Sequence, residues 1–153
     1  MKTMNSRVCS IAVLTIFIAL AGCGGNGFPT AQVTGRVICE GNPVEGAMVY
    51  FEPLKGSGTS GLAGKQGFSY TDAEGKFVIS TYEPGGQDGA VIGKHRVRVG
   101  KGKAKCNCAM NAEVDLMEVE VKAEGKNEFE LALRKATSQE LARDKAKKGD
   151  DED

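Results

Sequence analysis

Seven short segments of this chain alternate apolar and polar residues with a period of two, and a strand is the element that puts such a pattern on one face. In residues 32–40, QVTGRVICE, one parity carries Val33, Gly35, Val37 and Cys39, and the other carries Thr34, Arg36 and Ile38. Residues 47–53, AMVYFEP, place Ala47, Val49 and Phe51 together and leave Tyr50 on the opposite parity. Shorter runs follow at 68–72 (FSYTD) and 76–82 (KFVISTY). Residues 94–100, KHRVRVG, set His95, Val97 and Val99 against Lys94, Arg96 and Arg98. In 116–123, LMEVEVKA, Met117, Val119 and Val121 alternate with Glu118, Glu120 and Lys122; in 128–134, EFELALR, Phe129, Leu131 and Leu133 share a face. A strand with one greasy face has to bury it against another layer. The pattern therefore predicts an all-β chain, an antiparallel β-sandwich of about seven strands. Its core should join Val37, Val49, Phe51, Phe77, Ile79, Val97, Val119, Phe129 and Leu131.

The segments between the strands carry turn chemistry. Residues 40–46, EGNPVEG, place Gly41, Asn42 and Pro43 together. Residues 72–75, DAEG, read as a tight hairpin turn, and 54–67 and 83–93 are glycine-rich loops; the chain holds 21 glycines. After the last strand, residues 135–153 form a charged tail. Thr137 and Glu140 have capping-box spacing for a short helix, but the low apolar content predicts a mostly disordered, solvated segment.

Ahead of the strands, residues 1–7 carry Lys2 and Arg7 with no acid, and residues 8–20 are almost wholly apolar. That is the n-region and h-region of a signal peptide, and the run is short for an uncleaved membrane-spanning helix. Residues 20–23, Leu-Ala-Gly-Cys, resemble the lipobox of bacterial lipoproteins. The resemblance implies removal of residues 1–22, lipidation of Cys23, and a flexible tether over 23–31. Several acyl chains make such an anchor effectively permanent. Gly24, and not Asp, follows the cysteine, which by the usual sorting rule implies the outer membrane. The processed chain would keep 18 of the 20 basic residues and all 20 acids, a charge near −2. That balance offers no attraction for nucleic acid.

The strands in order carry a further resemblance. Val33, Gly35, Val37, Pro43, Val44, Gly46, Ala47, Val49 and Phe51, followed by Thr71, Asp72, Gly75 and Phe77, are similar to the carboxypeptidase regulatory-like domain, a transthyretin-like β-sandwich. The likeness spans residues 32–134. It implies a binding, spacing or stabilising module with no shared catalytic residue. Residues 101–115, KGKAKCNCAMNAEVD, depart from the family pattern.

The remaining chemistry is sparse. Residues 56–61, GSGTSG, match the spacing of a dinucleotide loop, but no helix-forming segment follows to hold a phosphate. His95 is the single histidine and, on the inward parity, reads as a packing residue. Asp72, Glu74 and Asp88 are too thinly spaced for a calcium loop, and Asp72 reads as a turn former. No metal and no cofactor is expected. Cys9 leaves with the signal peptide, so Cys39, Cys106 and Cys108 remain as candidates for a disulfide or for thiols. Cys39 by default packs as a small hydrophobe. For Cys106 and Cys108 a disulfide, a soft-metal pair and free thiols compete, and a disulfide is favoured in an oxidising envelope. A Cys106–Cys108 bridge would close a very small ring, and a bridge from Cys39 to one of them needs the loop to pass the end of the first strand.

Arg96 and Arg98 are expected to pair across strands with Glu118 and Glu120, which leaves Lys101, Lys103 and Lys105 open. The reading that follows is a lipid-anchored, non-enzymatic envelope protein. Its sandwich would serve as a structural or protein-interaction module, with an envelope protein or a polysaccharide as partner. The alternative is a carbohydrate-binding module. With no tryptophan and only Tyr50, Tyr70 and Tyr82 as tyrosines, the chain is poorly supplied with stacking platforms.

Overall fold

The structure, a computed structural model, describes residues 28–54 and 64–150, with side chains through residue 144. The alternating segments carry strands β2 (Val33–Cys39), β4 (Met48–Pro53), β5 (Gly67–Tyr70), β6 (Lys76–Val78), β8 (Gly93–Gly100), β9 (Met117–Val121) and β10 (Asn127–Leu133). Three two-residue strands join them, β1 (Thr30–Ala31), β3 (Asn42–Pro43) and β7 (Ala90–Val91). One four-stranded sheet runs β5-β4-β8-β9. The other runs β10-β2-β3, with β6 also on β2, and β1 pairs with β7 apart from both.

The two large sheets bury their apolar faces in one core. Phe51 sits at its centre with no exposed surface. Its ring lies 6.2 Å from Phe77 and 5.7 Å from Phe129, both on the other sheet, and 5.9 Å from the His95 ring on its own. Val37, Val49, Ile79, Val97 and Leu131 are buried around it, and Val119 and Phe129 pack against the cluster while keeping some exposure. Tyr50, on the other face of β4, is half-buried, and its hydroxyl meets the Met48 sulfur at 2.9 Å. Gly35 explains its own presence in this layer. It pairs with Phe129 on one side and Phe77 on the other, and a Cβ there would collide with the Phe77 ring and the Phe129 carbonyl oxygen.

Three expectations change. The sandwich is not purely antiparallel, because β10 pairs with β2 in parallel from Asn127↔Val33 to Leu133↔Cys39. The first and last long strands thus run the same way, and alternation alone carries no direction. The DAEG turn forms, with Gly75 at φ 74° and its amide donating to Asp72 O at 3.0 Å. It does not lead into a continuous hairpin, however. Strand β6 crosses to β2, and β5 meets the returning chain again only at Phe68↔Ser80. Where a mostly disordered tail was expected, helix α1 (Ser138–Asp150) forms. It starts with the capping box: Glu140 Oε2 accepts from Thr137 N at 2.8 Å, and Thr137 Oγ1 accepts from Glu140 N at 3.3 Å. Arg134 grips the Glu140 carboxylate through two hydrogen bonds, and Lys101 reaches Asp144 at 3.3 Å.

The residues of the family-like motif are bolted to one another. Thr71 is buried; its hydroxyl accepts from Ala47 N at 2.9 Å and donates to Val44 O at 2.6 Å. Its backbone receives Gly46 N at 3.0 Å and gives its own N–H to Ala47 O at 2.9 Å. Val37 N donates to Gly75 O at 2.8 Å. Thr71→Val, of the same shape, should therefore strand two buried backbone groups and destabilise the fold by about 2–4 kcal/mol. Thr71→Ser should recover most of that loss. Urea unfolding of the three proteins checks it, and equal stability of the valine and threonine forms would refute the role.

Candidate functional site

The polar chemistry separates into four places. The first is a groove where β5 and β6 part, with a volume of about 310 Å³. Phe68, Tyr70 and Phe77 line it together with Asp72, Lys76 and Gln87. Tyr70 is exposed, and the Lys103 ammonium stands 5.4 Å from its ring centre. Asp72 is largely committed to the turn: its Oδ1 accepts from Glu74 N at 3.0 Å and Lys76 N at 2.7 Å. That is the turn-forming role expected of it. Glu74 stays exposed, and Asp88 serves a separate loop. There it takes the Thr81 and Tyr82 amides at 3.0 and 2.8 Å and contacts the Ser80 hydroxyl. Burial works against ionisation of Asp88, but these hydrogen bonds outweigh it and hold the carboxyl below its usual range. Among the described residues no three metal-ligating side chains gather.

The second place is an ion cluster on the outer face of the β5-β4-β8-β9 sheet. Glu120 and Glu118 do lie opposite Lys94 and Arg96 in the β8–β9 ladder. The arginines nevertheless turn elsewhere. Arg96 meets Glu52 at 3.4 Å and Asp115 at 3.8 Å, while Arg98 contacts Glu52 and reaches Asp115 at 3.1 Å. Arg98 also donates to Ala112 O at 3.1 Å. The internal neutralisation was expected, but its partners are Glu52 and Asp115, not Glu118 and Glu120. Glu52 is set directly across from Arg96 on β4 and diagonal to Arg98, so one carboxylate serves two guanidinium groups. The outward parity of Glu52 was readable in the sequence, whereas the β4–β8 adjacency was not.

The third is His95. It is wholly buried, with Nδ1 3.0 Å from Gly93 O and Nε2 without a hydrogen-bond partner. The expectation of a packing histidine holds. Burial depresses its pKa, and the Gly93 carbonyl offsets this only in part.

The fourth is a cavity of about 210 Å³ lined by Cys39, Cys106 and Cys108 with Glu40, Asn42, Pro43, Val44, Asn107 and Lys135. Cys39 and Cys108 form a disulfide, with their Cα atoms 6.3 Å apart, and Cys106 is a half-buried free thiol. Cys39 is therefore a bridged residue and not merely a small hydrophobe. The bridge is possible because residues 107–109 pair with the chain leaving β10. Ala109 N donates to Arg134 O at 2.8 Å and Ala136 N to Asn107 O at 2.9 Å. Since Leu133 is the parallel partner of Cys39, this brings Cys108 over the end of β2.

Cys23 with its lipobox, and the GSGTSG segment, lie outside the described residues. In comparisons with known proteins, no family model and no curated sequence matches this chain.

Two outcomes follow from this geometry. The folded-state pKa of His95 lies below the unfolded value of about 6.5. Below that pH the unfolded chain takes up a proton that the folded chain refuses. The stability contributed by neutral His95 is complete above about pH 6.5 and is lost as pH falls, by up to about 1.4 kcal/mol per unit. Asp88 and Glu140, the latter held down to about 2 by Arg134 and Thr137, act only in a more acidic window. Denaturant titrations across pH should show the step in the wild type and lose it in His95→Leu; an unchanged step in that variant would refute the assignment. For the ion cluster, a double-mutant cycle of Glu52→Gln with Arg98→Met should return a favourable coupling of up to about 1 kcal/mol that shrinks in high salt. Zero coupling at low salt would refute the pairing.

Proposed function

We propose that this chain is a lipid-anchored, non-enzymatic lipoprotein of the bacterial cell envelope. Its domain, of the carboxypeptidase regulatory-like type, is held at the membrane surface as a structural or protein-interaction module. The Cys39–Cys108 disulfide carries the reading. Such bridges persist in oxidising compartments and are rare in the cytosol, and export is what the charged start, the apolar run and the LAGC sequence call for. The domain type rests on the motif in residues 33–77, whose members hydrogen-bond to one another through Thr71 and Gly75.

The tether length adds a geometric consequence. Of the residues expected as tether, Thr30 and Ala31 pair with β7 and Phe28 N donates to the Tyr82 hydroxyl; from Cys23 to Phe28 the chain reaches at most about 18 Å. The end of the sandwich carrying β1 and the start of β2 is then kept close to the lipid. The cysteine cavity lies at the other end of β2, about 20 Å along the strand. Strands β9 and β10 are the edges of their sheets, and Glu118, Glu120, Glu128 and Glu130 stand exposed along them. Charged edges discourage self-pairing and leave a defined acidic side for a basic partner. The sealed core position of the single histidine and the internally neutralised arginines fit a module that does no acid–base chemistry.

The groove beside Tyr70 favours a second reading, a carbohydrate-binding module. The test is a Cys23→Ser substitution in the native envelope. The wild type should fractionate with membranes and yield an acylated N-terminal cysteine by mass spectrometry. The variant should accumulate as unprocessed precursor. A mature wild-type chain beginning at Met1 would refute the anchor. Crosslinking in the same envelopes separates the two modules: a protein partner supports the first reading, and recovered polysaccharide supports the second.

A further inference from the structure

Three sulfur atoms line one cavity at the end of β2, two of them bridged and one free. The bridged residues are close to fully buried, Cys39 at 8% and Cys108 at 9% exposure, whereas Cys106 is half-buried and opens to the same cavity. An external thiol has little access to the bridge. The Cys106 thiol is two residues from one end of it and packs against the same core cluster. We propose that Cys39, Cys106 and Cys108 form a thiol–disulfide exchange centre.

The Cys106 thiol first loses its proton to solvent, because the thiolate is the nucleophile. It then attacks Cys39 Sγ. A Cys106–Cys39 bond forms as the Cys39–Cys108 bond breaks, and the electron pair of that bond leaves on Cys108, which takes a proton from solvent. Cys106 takes up the disulfide oxidation state as Cys108 returns to the thiol state, so the exchange is redox-neutral and no outside oxidant or reductant enters. Attack on Cys39, and not on Cys108, follows from the small ring that a Cys106–Cys108 bridge would close. The fold leaves the segment room to make the change. Lys103 and Ala104 are held by bonds to Gly46 O and Lys101 O, and Asn107 and Ala109 by bonds to Ala136 N and Arg134 O. Cys106 lies between these two anchors, in irregular chain without strand pairing. Exchange thus moves the reactive thiol between Cys106 and Cys108 and presents sulfur of either oxidation state to the cavity, where Lys135 and Glu40 stand at the wall.

The test uses the full chain in oxidised form, stored near pH 4, moved to about pH 6, 7 or 8, and sampled over time into acid. Free thiols are alkylated, and fragment-ion mass spectrometry separates label on Cys106 from label on Cys108. Label should begin on Cys106 and spread to Cys108, never to Cys39, with a rate that rises with pH because the thiolate is the attacking species. Cys106→Ser should abolish labelling of Cys108. Cys108→Ser, oxidised in a glutathione buffer, should carry a Cys39–Cys106 bridge. The wild-type time course is decisive even if a variant fails to fold. Label confined to Cys106 at every pH and time overturns the proposal. So does label appearing on Cys39 in step with Cys108, which would mean simple reduction.

Discussion

The contact of the Phe51 ring with Phe77 and Phe129 is what makes one domain of two sheets. Each sheet alone exposes a greasy face; the three rings meet at 5.7–6.2 Å and close that face against its counterpart. Tilted rings at such separations add about 0.5–1.5 kcal/mol beyond the area they bury. The contact needs a gap in β2, and Gly35 supplies it, flanked on both sides by the phenylalanines. Glycine weakens a strand interior, but here the Phe77 ring and the Phe129 carbonyl oxygen fill the space its missing side chain leaves. A larger residue would push Phe77 off Phe51 and separate the layers.

Around that core, the polar groups that look like candidate chemistry are mostly spent on architecture. Thr71 and Asp72 each serve several backbone groups. Asp88 closes its own loop, and Arg96 and Arg98 are neutralised by Glu52 and Asp115. His95 is the clearest case. A buried histidine with one nitrogen bonded to a carbonyl and the other without a hydrogen-bond partner serves packing, and it carries an acid-sensitive cost. Among the described residues, the groove where β5 and β6 diverge and the cysteine cavity at the far end of β2 are not consumed in this way. They arise for the same topological reason. Chain that leaves one sheet for the other, or crosses the end of a sheet, cannot stay in a continuous ladder, and open space forms where the ladder stops.

The alternation of apolar residues made the strands and their inward faces readable, because parity depends only on the period of the strand. Phe51 inward and Tyr50 outward, or His95 beside Val97, needed no knowledge of neighbours. Most of what depended on which strands touch was not readable. The parallel β10–β2 pairing, the passage of β6 to β2, the choice of Glu52 over Glu118 and the partner of Cys39 are all facts of adjacency. For Glu118 the inferred neighbour was right, since it lies opposite Arg96. Yet a guanidinium between two strands has acids on both sides, and the carboxylate shared with Arg98 holds it. The helix after residue 137 shows the converse. Its capping box was visible, but the Arg134 and Lys101 contacts that tie it down join residues 6 and 43 positions apart.

Chain entropy does not decide which bridge closes the far end of β2. The Cys39–Cys108 bridge spans 69 positions, and a bridge from Cys39 to Cys106 would span 106 − 39, or 67. Loop-closure cost varies with the logarithm of length, so the two differ by well under about 0.1 kcal/mol. Both bridges would also tie β2 to the same crossing segment and leave the Phe51 core untouched. The preference for Cys108 must therefore be local. Cys108 is buried against the chain leaving β10, where it bridges Lys135, while Cys106 keeps contact with solvent. Exchanging the two means lifting one small side chain out of a well-packed position and inserting another two residues away. That change is confined to residues between the anchors at Ala104 and Ala109, which is why the redox chemistry of this end can vary while the sandwich stays folded.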